Sequence, residues 1–176
     1  MMGLIICGMN GSGKSTLGRA MAEHLGWRFI DNEDLYFPKT DPVNPYAVQR
    51  TQEEVARLLL EEVRRDERFV FASVRGNYGE AVRPYYKAAV LVAVPREIRL
   101  ARVKERSFRR FGERMLPGGD LFESEQRFYD IVAARPEDYA SRWLEQVNIP
   151  VLQVDGTRPV GENIVSIMDW LGRNHP

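Results

Sequence analysis

Cysteine is nearly absent from this sequence: Cys7 is the only one in 176 residues. A disulfide within the chain is therefore impossible, and the apolar run around Cys7 marks it as a small core residue rather than a nucleophile or ligand. Net charge is missing as well, because 25 basic and 25 acidic residues cancel. No global field draws the chain toward nucleic acid or a membrane surface. No apolar stretch approaches the ~20 residues that a membrane span needs. The opening MMGLIICG also lacks the basic region of a signal peptide. These absences lead us to expect a cytoplasmic protein without nucleic-acid or membrane partners, a monomer or weak dimer. Internal repeats, low-complexity tracts and inter-domain linkers are lacking too. With 44% apolar and 28% charged residues, the composition is that of one globular domain over 1–176, with a core of ordinary size.

What is present starts with GMNGSGKST at 8–16. It has the P-loop spacing G-x-x-x-x-G-K-[ST], with Gly8, Gly13, Lys14 and Ser15 in the diagnostic places. Glycines let successive backbone N–H groups turn inward around an anion, and a following helix adds its positive N-terminal end. The candidate phosphate-binding set is Gly8, Asn10, Gly11, Ser12, Gly13, Lys14, Ser15 and Thr16. Lys14 suits the β/γ-phosphates of ATP, and the Ser15 hydroxyl suits a Mg²⁺ shell. The context fits. Leu4-Ile5-Ile6-Cys7 reads as a buried parallel strand, and Leu17, Ala20, Met21, His24 and Leu25 share one helical face before Gly26, a C-cap glycine.

Strands and helices alternate through the rest of the chain, which predicts an α/β protein with a parallel sheet covered on both faces. WRFID at 27–31 is the second strand, RFVFASV at 68–74 the third, AAVLVAV at 88–94 the fourth and PVLQVDG at 150–156 the fifth. Helical periodicity covers 46–65, 96–110, 123–134, 137–146 and a closing stretch around Ile164, Ile167, Met168 and Leu171. FPKTDPVNP at 37–45 and the stretch 111–122 have turn and loop chemistry.

Two charged constellations frame the P-loop. Asp31-Asn32-Glu33-Asp34 ends the second strand, and parallel sheets bind ligands beyond the carboxyl ends of their strands. A carboxylate there can join Ser15 around Mg²⁺, a role expected for Asp31, and Glu33 or Asp34 can accept the proton of an attacking hydroxyl. The bland alternative is a solvated loop whose aspartates cap a short helix. Between positions 99 and 114 lie seven basic groups, Arg99, Arg102, Lys104, Arg106, Arg109, Arg110 and Arg114, against Glu105 and Glu113. Like charges so placed want an anionic partner, and a triphosphate is one, since phosphoryl transfer rests on stabilising spread charge. Pro117-Gly118-Gly119 would let a lid over about 111–122 close and exclude water.

These residues carry a resemblance to the nucleoside monophosphate kinase superfamily, within it to the shikimate kinase-like small-molecule kinases. Asp31-Asn32-Glu33 resembles that group's D-x-D motif, with Glu in place of the second Asp. Arg50-Thr51-Gln52-Glu53 resembles its F-R-x-x-E motif, with Gln49 in place of Phe. Arg135, four residues before Tyr139, is similar to its substrate-binding arginine after the lid. Arg106 and one of Arg110 or Arg114 match its lid arginines, and Asp155-Gly156-Thr157-Arg158-Pro159 resembles its purine-side loop. The resemblance implies a three-layer P-loop NTPase fold with strand order 2-3-1-4-5, an arginine-rich lid, and an acceptor-binding region over about 31–65. It also implies ATP and Mg²⁺ as cofactors. Lys14, Asp31, Glu33 and Arg110 would be catalytic, Arg106, Arg114, Arg158 and Pro159 would contact nucleotide, and Glu33, Asp34, Arg50, Arg75 and Arg135 would meet a small-molecule acceptor.

The chain departs from the group after the third strand, where Ser73-Val74-Arg75-Gly76-Asn77-Tyr78-Gly79 replaces three consecutive glycines. Arg75 there is similar to nucleoside and thymidylate kinases, but Val74 stands where those carry an acidic residue. Any catalytic carboxylate has to come from Asp31, Glu33 or Asp34. The expectation is ATP-dependent, Mg-assisted phosphoryl transfer to a hydroxyl of a small anionic metabolite. A nucleoside or nucleoside monophosphate kinase stays open, because arginines bind carboxylate and phosphate alike, as does a non-catalytic nucleotide sensor. The absence of an N-K-x-D guanine motif counts against a GTPase switch.

Overall fold

Apolar residues on both sides of the central strand dictate the layering. In the computed structural model, which describes residues 2–41 and 45–174, β1 spans Met2–Cys7. Its Ile5 and Cys7 belong to one buried cluster and its Leu4 and Ile6 to another. A strand that is apolar on both faces needs cover on both. Residues 42–44 of the turn-rich segment lie outside the described residues.

All pairings are parallel. β3 (Arg68–Ser73) and β4 (Tyr86–Ala93) flank β1, with β2 (Arg28–Asp31) outside β3 and β5 (Val151–Asp155) outside β4. The order β2-β3-β1-β4-β5 is the expected one. Connections run to opposite sides of β1, and the crevice so created beyond the strands' carboxyl ends is where open α/β sheets bind ligands. Register aligns those ends: Cys7 pairs with Ser73, and Asp31 with Ala72.

One face is covered by α1 (Lys14–Leu25) and by α7 (Val160–Asn174), through Leu17, Met21, Ile167 and Leu171. The other face is covered by α3 (Gln52–Arg65), through Val55, Leu59 and Val63, all fully buried, and by Trp143 and Leu144 of the short α6 (Ser141–Leu144). Between α1 and α3, α2 (Asn32–Tyr36) follows β2 directly. The basic α4 (Arg96–Phe111) and α5 (Phe122–Ala134) flank the segment expected to form a lid, which contains a 3-10 turn at Gly112–Met115.

Three helical expectations shift. The helix expected over 46–65 begins at Gln52, because Thr51 caps it: the Thr51 hydroxyl accepts from the Glu54 amide at 3.2 Å, and the Glu54 carboxylate accepts from the Thr51 amide at 2.8 Å. The stretch expected over 137–146 shrinks to α6, after a turn in which the Tyr139 amide donates to the Pro136 carbonyl at 3.1 Å. The acidic stretch after β2 is helical, with Asp31 as its N-cap. Cys7 is fully buried, and that burial pushes its thiol up, as a core residue requires. Among the described residues, no helix is long and apolar enough to cross a membrane.

Candidate active site

The loop between β1 and α1 is shaped by backbone that only glycine tolerates. Gly11 and Gly13 have φ of 79° and 89°, in the left-handed region. A Cβ on Gly11 would also lie 2.2 Å from the Arg99 carbonyl oxygen, a backbone atom that cannot swing away. Gly13 is the N-cap of α1 and offers no side-chain acceptor, so the first amides of the helix stay available to an anion. Ser12 is fully buried and its hydroxyl has no partner among the described residues. Lys14, Ser15 and Thr16 open the helix, and Asn10 sits in the preceding turn. Gly8, the first glycine of the pattern, is packed so that a Cβ would meet the Ser12 hydroxyl at 2.5 Å.

Lys14 is the electrostatic centre. Desolvation lowers its ammonium from 10.5 to about 8; the carboxylates of Asp31 and Glu33 pull it up, and the guanidiniums of Arg106 and Arg135 push it down. Charges from the P-loop, the end of β2, α2, α4 and the segment after α5 thus influence one another across this edge of the sheet. A desolvated ammonium, with two carboxylates and two guanidiniums acting on it, is one that favours an incoming phosphate.

The acidic side is built by β2 and α2. Asp31 Oδ1 accepts from the Glu33 amide at 3.0 Å, which is the capping role of the bland alternative, but the residue still faces Lys14 electrostatically. Asn32 is held by a chain that no motif announced. The Tyr78 hydroxyl donates to Asn32 Oδ1 at 2.5 Å and takes the Ser73 hydroxyl at 3.1 Å, tying the start of α2 to the end of β3. Glu33 accepts from the Tyr46 hydroxyl at 2.6 Å. Asp34 points elsewhere: it is exposed and ion-paired with Lys39. Ser15 at the start of α1 and Asp31 at the end of β2 each offer an oxygen, hard donors of the kind Mg²⁺ takes, and the buried Ser12 hydroxyl, unpartnered among the described residues, and the desolvated Lys14 suit the phosphates that would accompany it.

The arginines separate once the chain folds. Arg99 is 3% exposed and donates to both carboxylate oxygens of Glu137, at 3.2 and 3.0 Å, with Arg96 bonded to the same group. Arg102 donates to the Gly156 carbonyl at 3.1 Å, joining the P-loop side to the 155–159 loop. Arg106 is exposed, its charge reaching Lys14 and Tyr46. Arg109 turns outward to Glu105, and Arg114 pairs with Asp120 inside the lid at 2.7 Å. Arg110 meets the Tyr46 hydroxyl and lies 3.8 Å from Glu33. Arg158, expected toward the purine, is exposed and ion-paired with Glu162 on α7 at 2.7 Å, next to exposed Pro159.

Among the residues expected to meet an acceptor, Arg135 donates to Asn10 Oδ1 at 2.6 Å. The Tyr139 ring carries the Arg75 guanidinium at 4.0 Å and the Arg135 guanidinium at 5.5 Å from its centroid. Arg75, from the segment that replaces the three glycines, therefore shares one aromatic platform with Arg135. Arg50 does not join them. Its guanidinium donates to the Leu35 carbonyl at 2.8 Å, and its amide donates to Tyr36, closing the C-terminal end of α2.

Tyr46, which no sequence motif singles out, joins Glu33 and Arg110. Its ring packs edge-on against Phe37 at 4.9 Å and Phe111 at 6.3 Å, with the Arg110 guanidinium 4.6 Å from its centroid. Burial and then its hydrogen bond to Glu33 push the phenol up, so it remains a donor. The cue available in the sequence was an aromatic beside a turn-rich segment, which helical periodicity absorbed.

Comparison with known proteins agrees with this architecture. A family model described as an AAA domain matches residues 4–113, more than half of the chain. An uncharacterized protein of Bacillus subtilis, YqaC, is 26% identical over 177 residues, covering 96% of this chain and 97% of its own. Among solved structures, a gluconokinase from Sinorhizobium meliloti superposes with a TM-score of 0.57 at 18% identity, over 97% of this chain and 91% of that one. Shikimate kinase from Aquifex aeolicus does so with a TM-score of 0.58 at 19% identity, over 98% of each chain. Fold and family model coincide: the chain belongs to the AAA domain family and has a P-loop kinase fold.

Proposed function

We propose that the protein is a small-molecule kinase that transfers the γ-phosphoryl group of ATP, with Mg²⁺, to a hydroxyl of a small anionic acceptor. The observation that carries this reading is the glycine-shaped loop leading into the uncapped start of α1, where Lys14 is coupled electrostatically to Asp31, Glu33, Arg106 and Arg135. The P-loop amides and Lys14 hold the phosphates, and Ser15 and Asp31 are the oxygens that would hold Mg²⁺, which when bound neutralises charge on the transferring group. Glu33 orients the acceptor hydroxyl and takes its proton. Arg106 and Arg110 from the lid face the charge that spreads over the phosphoryl oxygens.

The acceptor's anionic group falls to Arg75 and Arg135, whose guanidiniums the Tyr139 ring aligns. A planar guanidinium takes carboxylate and phosphate bidentately, so these residues support an anionic acceptor without choosing between sugar acids and nucleotides. The names of the structural relatives, a gluconokinase and a shikimate kinase, support a hydroxylated carboxylate. The test is ATP consumption by the purified protein against sugar acids, shikimate, nucleosides and nucleoside monophosphates. The reading expects stimulation by a hydroxy acid. Stimulation only by nucleosides or their monophosphates would move the acceptor class, and turnover by none of them would favour a nucleotide sensor.

A further inference from the structure

Phosphoryl transfer to a small acceptor has a competitor, transfer to water, and a kinase needs a means of withholding its catalytic groups until the acceptor arrives. The contacts of Tyr46 bear on this. Its hydroxyl donates to Glu33 Oε1 at 2.6 Å while accepting from Arg110 of α4, and Lys39 lies 3.8 Å from the same carboxylate oxygen. Tyr46 belongs neither to the P-loop nor to the lid. It comes from the turn before α3 and is wedged edge-on between Phe37 and Phe111, the latter being the last residue of α4. One hydroxyl therefore touches the carboxylate on the acceptor side and the guanidinium at the lid. Of the two lid arginines assigned to the phosphates, Arg106 is the one whose charge reaches Lys14, and Arg110 is the one engaged by Tyr46.

We infer that Tyr46 is a positioning residue that stands in for the acceptor hydroxyl, occupying Glu33 and retaining Arg110 until an acceptor displaces it. The inference rests on the kinase reading above. In the side reaction that it suppresses, a water oxygen bonds to the γ-phosphorus as the bond from phosphorus to the β-bridging oxygen breaks. The water proton goes to Glu33, giving ADP and inorganic phosphate. With Tyr46 donating to Glu33 and Arg110 turned to the phenol oxygen, the carboxylate oxygen that would receive that proton is taken and one cation is withheld. An acceptor hydroxyl that replaces the phenol on Glu33 removes the Tyr46 hydroxyl's hold on Arg110 in the same motion, leaving the looser 3.8 Å approach to Glu33, so the catalytic groups assemble around the correct nucleophile.

Tyr46→Phe tests this, because it removes the hydroxyl and keeps the ring contacts with Phe37 and Phe111. Two readouts are taken on the full chain, with near-ultraviolet circular dichroism to establish that the aromatic packing is native. The first needs no ATP: limited trypsin digestion of the ligand-free protein, scored for cleavage after Arg106, Arg109, Arg110 and Arg114. The second is ATP hydrolysis without acceptor. Loss of a hydrogen bond to charged partners corresponds to roughly a tenfold change, and partial exposure of Glu33 and Arg110 reduces the expectation to about three- to tenfold in each rate. Cleavage and hydrolysis should both rise. Unchanged cleavage overturns the hold of Tyr46 on the lid, and faster cleavage with unchanged hydrolysis overturns the restraint on transfer to water. The kinase reading fails by a different mark, an Lys14→Ala protein that phosphorylates acceptor as fast as the wild type.

Discussion

On the proposed function, Lys14 should make ATP affinity pH-dependent in a window where an ordinary lysine does not titrate. Its ammonium is lowered from 10.5 to about 8, chiefly by desolvation. Bound phosphates return the group to its charged form, so the complex needs a proton that the ligand-free protein releases near pH 8. About nine-tenths of ligand-free molecules carry the charge at pH 7 and about one-tenth at pH 9, taking the value of about 8. If the complex keeps the ordinary lysine value, affinity falls by roughly tenfold between those pH values and then by about a decade per unit up to 10.5. Stability of the ligand-free fold moves the opposite way. The folded value lies below the ordinary one, so the unfolded chain binds more protons between about pH 8 and 10.5, and this group's contribution to stability rises with pH across that window. Isothermal titration with a non-hydrolysable ATP analogue at pH 7, 8 and 9, each in two buffers of different ionisation enthalpy, measures both affinity and proton uptake. About half a proton should be taken up at pH 8. Lys14→Arg, which stays charged throughout, should flatten the profile. A flat profile in the wild type, or an unchanged slope in Lys14→Arg, would refute the reasoning.

Asp31→Asn keeps the N-cap acceptor for the Glu33 amide but loses the charge, so α2 should persist while half-maximal activity moves to a Mg²⁺ concentration about tenfold higher or more; an unchanged metal titration assigns that role elsewhere. Gly11→Ala places a Cβ against the Arg99 carbonyl and strains a φ of 79°, so nucleotide binding should fall by at least tenfold in equilibrium titrations, even where the variant remains folded. Glu137→Gln leaves the buried Arg99 guanidinium without its charged partner, which should lower the melting midpoint by several degrees in a thermal unfolding scan.

Which parts of this architecture are legible from residues alone follows the range of the interactions. The strands read directly, because alternate residues such as Ile5 and Leu4 feed opposite layers, and the P-loop reads because its glycines answer a local backbone demand. The order of strands came from the resemblance, not from periodicity. α3 starts six residues beyond the position that apolar periodicity predicts, at a capping box formed by Thr51 and Glu54. The directions of the arginines were not readable. Each depends on where an acidic partner arrives after folding: Glu137 for Arg99, Asp120 for Arg114, and Glu33 with Tyr46 for Arg110. The Ser73–Tyr78–Asn32 chain joins residues up to 46 positions apart, a separation that local patterns do not encode. Arg50 shows the converse: a motif match suggested an acceptor contact, and folding places its guanidinium on the carbonyls ending α2.

The central claim is that the residues gathered around Lys14 move a phosphoryl group to a small acceptor. Its most direct measurement follows the γ-phosphate of labelled ATP in the wild-type protein and in Lys14→Ala, with Mg²⁺ and a mixture of hydroxy acids and nucleosides, separating labelled organic product from inorganic phosphate. The account predicts label on an organic acceptor in the wild type and a loss of at least a hundredfold in Lys14→Ala, in line with the loss of one preorganised contact to developing charge. Label that appears only as inorganic phosphate, or equal labelling of acceptor by both proteins, would contradict it.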